Sequence, residues 1–183
     1  KTRARRAPGG ALSASKAGGP VMTGVLRYPD FQGNLIPAAN VTVHLEAKGG
    51  VLGGMKEVAT ALADASGRWT AELPADMLGK AVTGTYELGN KKWTINKYRW
   101  AGPTVEAVGA STDTGERTIE PGTNNGKAAL IHQIWNRAIA AFEREGIDTT
   151  TWWNKPIGTV WPGSGNYYSF GTGNLTDAEW WDV

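Results

Sequence analysis

Cysteine is absent from these 183 residues, and histidine occurs only twice. The first absence excludes disulfide staples and thiolate metal sites, while leaving the redox compartment open, since cysteine-free chains occur on both sides of the membrane. The second leaves His44 and His132 without a second nitrogen ligand nearby. The i+4 neighbour of His132 is Asn136, so the paired-ligand geometry that zinc needs is not offered and packing or surface roles account for both. No apolar run approaches the ~18 residues needed to cross a bilayer, which predicts no membrane span. No signal-peptide core stands at the N-terminus, and the chain is expected to be soluble.

What the chain does have is 25 glycines, 9 prolines, 9 tryptophans and a hydrophobic content of 40%. That composition supports a real core and favours a mainly β architecture with many turns. The formal charge of +2 conceals an asymmetry. Residues 1–20 hold Lys1, Arg3, Arg5, Arg6 and Lys16 with no acid, so the remainder is mildly acidic. The arm lacks an apolar period and is expected to be a flexible leader or linker. Its cations suit an anionic surface. Without interleaved aromatics they argue against nucleic acid as a partner.

From Val21 to Trp100 the signals are those of short strands. Val41, Val43 and Leu45 alternate with Thr42, His44 and Glu46, which puts one face inward and His44 outward. Trp69, Ala71 and Leu73 alternate in the same way. The turn residues Asp64-Ala-Ser-Gly67 predict a hairpin joining 58–63 to 68–73. Further strands are expected over 21–28, 83–88 and 92–100, the last with a bulge near Asn96–Lys97, because Trp93 and Ile95 share one parity and Tyr98 and Trp100 the other. Six or seven strands at such spacing predict an Ig-like or transthyretin-like β-sandwich.

Residues 101–123 are a polar stretch and are expected to be a connector. Beyond it the period changes. Leu130, Ile131, Ile134, Trp135, Ala138, Ile139, Ala141 and Phe142 recur at i, i+3 and i+4, which predicts an amphipathic helix capped by Asn124 or Asn125 and closed by Gly146. Strands over 157–161 and 167–170 should then form a hairpin. Thr176 and Glu179 have capping-box spacing and predict a closing helix. The second unit, 124–183, is thus expected to be α+β in the order helix, strand, strand, helix. Its last element is cut short at Val183, as in the front part of a longer protein.

Few residues suggest chemistry. Ser164 lies in Pro-Gly-Ser-Gly without the full frame of a nucleophile elbow or a base, and Asp177, Glu179 and Asp182 are explained by the helix dipole. The aromatics Trp152, Trp153, Trp161, Tyr167, Tyr168, Trp180 and Trp181 are the candidate contacts. They serve either as the core of a small unit or as a surface for a protein partner, self-association or a sugar.

Two resemblances attach to these residues. Thr23-Gly-Val-Leu, Pro37-Ala-Ala-Asn-Val-Thr-Val and Asp64-Ala-Ser-Gly-Arg-Trp resemble the carboxypeptidase-regulatory, transthyretin-like sandwich modules. That resemblance implies a binding, spacer or prodomain role without catalytic residues over about 21–100. Residues 124–183, with Val-Trp-Pro, Tyr-Tyr-Ser and a closing Trp-Asp-Val, resemble the region upstream of the His-Glu-x-x-His helix in secreted bacterial metallopeptidases. By that resemblance zinc would enter only with a continuing segment, and no residue here is a metal ligand or catalyst. The chain is therefore expected to be a non-catalytic module of a metallopeptidase-like parent, with an extracellular or secreted location. The alternatives are a subunit of an extracellular or viral (phage tail or capsid) assembly, whose fibre proteins it also resembles in style, and a carbohydrate- or protein-binding adhesin.

Overall fold

In the first strand, β1 (Val21–Pro29), buried Met22, Gly24, Leu26 and Tyr28 alternate with half-buried Val21, Thr23, Val25 and Arg27, the two-residue period of a backbone with one face on a core. The computed structural model describes residues 18–49, 53–95, 99–149 and 156–161, and the backbone of 167–169 and 174–176. The chain is mainly β. In the first sheet β1 is the hub: β2 (Leu35–Pro37) and β5 (Arg68–Glu72) run antiparallel along one side of it, and β9 (Ser111–Thr118) runs parallel along the other. The second sheet is antiparallel throughout, in the order β4 (Met55–Leu62), β3 (Thr42–Lys48), β6 (Val82–Glu87), β8 (Arg99–Val105). Met22, Leu26 and Trp69 of the first sheet and Val43, Leu45 and Tyr86 of the second belong to one continuous core.

The third sheet has the order β11 (Tyr167–Ser169), β12 (Asn174–Thr176), β10 (Ile157–Val160), β7 (Trp93–Ile95). Helix α1 (Asn124–Arg144) docks on β1 and β7. Gln133 Nε2 donates to the Pro29 carbonyl at 2.6 Å, and Trp135 Nε1 donates to Thr159 Oγ1 at 2.9 Å.

Several expectations are corrected. The Asp64–Gly67 turn forms, with Gly67 N–H on Asp64 O at 2.9 Å, but it is no hairpin. β4 pairs with β3, while β5 crosses to β1. Gly67 explains the crossing. Its φ is +75°, and a Cβ there would lie 2.2 Å from Leu26 O; its own carbonyl accepts from Leu26 N–H at 2.8 Å, so β5 is captured by β1 at its first residue. The strand expected over 92–100 is two strands, β7 and β8, in different sheets; the change of parity marks that switch, and 96–98 lie outside the described residues.

The stretch expected to be a connector holds most of β8 and all of β9. β9 reads Ser-Thr-Asp-Thr-Gly-Glu-Arg-Thr and has no apolar residue to alternate. It is held instead by the β1 ladder, by Thr114 Oγ1 on Thr23 O at 2.9 Å and by Arg27 Nε on Glu116 Oε2 at 2.8 Å. The strands at 157–160 and 167–169 do not pair with each other; both pair with β12. β12 occupies 174–176, where the closing helix was expected to open, and residues 177–183 lie outside the described residues.

The buried face of the helix matches the expected one only in part, through Ile139, Ile131 and Trp135. Ala128, Ala129, His132, Gln133 and Ile139 are buried, whereas Ile134 is 52% and Phe142 37% exposed. Small residues let the helix approach the sheet closely, and polar His132 and Gln133 bond the carbonyls it meets. Thr123, not Asn124 or Asn125, caps the start by accepting from Gly126 N–H at 3.0 Å. Gly146, with φ +75°, follows the C-terminus as expected.

Candidate functional site

Where α1 passes the end of the second sheet it leaves a groove of about 770 Å³. One wall is the outward face of β3, β4 and β6, carrying Thr42, His44, Thr60, Leu62 and Glu87. The other is α1, with Asn136, Ile139, Ala140 and Glu143, and the 90–93 turn closes the end.

His44 does occupy the outward parity, but it is only 9% exposed. A bulge after Leu45 resets the β3–β4 register so that Glu57, paired with Glu46, comes onto the same face as His44. His44 Nδ1 then lies 2.6 Å from Glu57 Oε2, and Nε2 lies 3.0 Å from Glu87 Oε2. Arg99 Nε donates to the same Glu87 oxygen at 3.1 Å, and its Nη1 reaches Glu46 Oε1 at 3.7 Å. A neutral imidazole has a single N–H, so both His44 contacts become hydrogen bonds only in the imidazolium. Four strands are tied side chain to side chain by this row.

The opposite end is amide-rich. Asn40 has a left-handed backbone, φ 62°, which asparagine tolerates better than most residues. Its Nδ2 donates to Asn136 Oδ1 at 2.7 Å, and Asn136 Nδ2 donates to Ala39 O at 3.1 Å. Asn90 Oδ1 accepts from Lys92 N–H at 2.7 Å. Lys92 is paired with Glu143, and its ammonium, followed by the Thr149 hydroxyl, holds the Glu143 carboxyl below its usual range.

Behind the groove lies His132, fully buried. Trp93 Nε1 donates to its Nδ1 at 3.1 Å, and its Nε2 faces Ala39 O at 2.9 Å. This pairing requires the neutral Nε2–H tautomer, and burial pushes the imidazole down to about 4. Among the described residues, no group of three or more histidine or acidic side chains is placed to hold a metal ion. No helix among them is long and apolar enough to cross a membrane.

The groove is not where the sequence pointed. Trp161 is half-buried against the main core, and its indole N–H is buried without a partner among the described residues. Tyr167 and Tyr168 lie on β11, by backbone alone. Trp152, Trp153, Trp180 and Trp181, like the arm residues Lys1, Arg3, Arg5 and Arg6, lie outside the described residues. The groove's own residues could have been sought from the outward-parity polar side chains of β3, Thr42 and His44.

No family model matches the chain, and no curated protein matches it either. Among solved structures it is similar to a 9R-lipoxygenase from Cyanothece PCC8801, at 11% identity and a TM-score of 0.40, covering 65% of this chain and 20% of that one. It is also similar to an (S)-allantoin synthase, at 10% identity and a TM-score of 0.37, covering 58% and 42%. The chain thus spans less than half of either protein, and both likenesses are too distant to bear on its fold or activity.

Proposed function

We propose that this chain is a non-catalytic binding module whose body is a transthyretin-like β-sandwich. Two four-stranded sheets contributing to one core support the sandwich. One observation carries the functional reading: apart from Lys91, the ionisable groups lining the groove are engaged with charged neighbours. Both His44 nitrogens face carboxylates, Glu87 also takes Arg99, and Lys92 is paired with Glu143. A general base must reach a substrate proton, whereas these groups brace a preformed concavity of the size that small ligands occupy.

The resemblance of residues 124–183 to the segment before a zinc helix supports placing the module in a secreted metallopeptidase-like parent. No residue of this chain is assigned as a zinc ligand. The test is incubation of the pure 183-residue chain with a peptide and ester library, read by mass spectrometry. The expected result is no turnover above buffer. Turnover that disappears in His44→Gln would overturn the reading.

A further inference from the structure

We infer that the groove between α1 and the outer face of β3, β4 and β6 is a saccharide-binding site that accepts an uncharged sugar of about two rings. The inference rests on the binding-module reading and supplies its ligand. Three features of the groove select this chemistry.

The first is charge. The lining carries two carboxylates, Glu87 and Glu143, against two ammonium groups, Lys91 and Lys92, and Glu87 and Lys92 are already in ion pairs, so the walls present little net charge to hold a phosphate or a polyanion. The second is the polar groups left over. Among the described residues, Asn40 Oδ1, the second Glu87 oxygen and the Thr60 hydroxyl take part in no hydrogen bond, although all three residues line the groove. Amide and carboxylate oxygens accept from hydroxyls, and the threonine hydroxyl can give or take. A ligand whose every polar group is both donor and acceptor can meet all three. The third is an aliphatic strip of Leu62, Ile139 and Ala140 along the groove. Leu62 is 53% exposed, and covering it with the C–H face of a pyranose removes apolar surface from water. About 770 Å³ holds a disaccharide with its bridging waters.

The experiment uses the whole chain, labelled with nitrogen-15 and titrated separately with cellobiose, maltose and diacetylchitobiose. At least one is expected to shift the amide signals of Asn40, Thr60 and Asn90 saturably at millimolar concentration. Ala140→Trp, on the exposed side of α1, would fill the groove and weaken binding by about tenfold or more, with the melting temperature unchanged. Should that variant fail to fold, Ala140→Gln tests the same steric point. Thr60→Val should weaken binding by roughly threefold. Shifts confined to another surface, indifference to Ala140 substitution, or no shift with any of the three sugars would each overturn the saccharide site and leave the module reading standing. Cleavage of a sugar in the same tubes would overturn the non-catalytic reading instead.

Discussion

The indole N–H of Trp93 donates to Nδ1 of His132 across 3.1 Å of fully buried interior, joining β7 to the centre of α1. Because the indole can only donate, the imidazole must accept at that nitrogen and is fixed neutral.

A pH dependence follows. The folded state holds His132 at about 4, below the 6.5 of an ordinary histidine. Its contribution to stability is complete above pH 6.5, where both states are neutral, and declines as pH falls towards 4, because only the unfolded chain takes up the proton. The loss is about 3 kcal/mol in all. Urea unfolding at half-unit intervals from pH 7.5 to 4.5 should show this slope, and His132→Leu should abolish it while lowering stability throughout.

Gly67→Ala should destabilise by about 3 kcal/mol or more, since it meets both a left-handed backbone and a Cβ position 2.2 Å from Leu26 O. Thermal melting checks it. A change below about 1 kcal/mol would mean that the turn between the sheets can be remade.

Gly24→Ala tests packing rather than conformation. A Cβ there would lie 2.4 Å from Thr114 Oγ1 and 2.8 Å from Cε2 and Cζ2 of Trp69, and Trp69 is 1% exposed in the middle of the core. Displacing it should cost about 1–3 kcal/mol. Near-ultraviolet circular dichroism of the indole should change along with the melting temperature.

Asn40 separates backbone from side-chain effects. Asn40→Gly keeps the left-handed φ and loses the bond to Asn136, which should cost about 1 kcal/mol. Asn40→Ala loses both and should cost at least about 1 kcal/mol more. Equal losses would show that the backbone conformation is not a constraint.

Sequence reading succeeded where burial is one-sided and apolar. The alternation around Val43, Leu45, Trp69 and Ala71 marks strands that line the core, and the long apolar recurrence after residue 126 marks a helix. It missed β9 because an edge strand of Ser, Thr, Asp and Glu is held by its ladder, and periodicity senses only burial. It placed Ile131, Trp135 and Ile139 inward as found, but it missed His132 and Gln133, which count as polar in any hydropathy pattern, though here they satisfy Ala39 O and Pro29 O. Partners 93 and 104 residues away in sequence leave no local trace. The groove was half legible. The outward parity of His44 was visible, but the bulge that brings Glu57 beside it is a matter of register between strands.

The parallel pairing of β1 with β9 couples the order of synthesis to the order of folding. During translation the first described strand must wait for residues 111–118 to emerge before one of its edges is satisfied. A nascent chain released at residue 100 would present that open edge to its neighbours, which is the geometry from which intermolecular strand exchange begins.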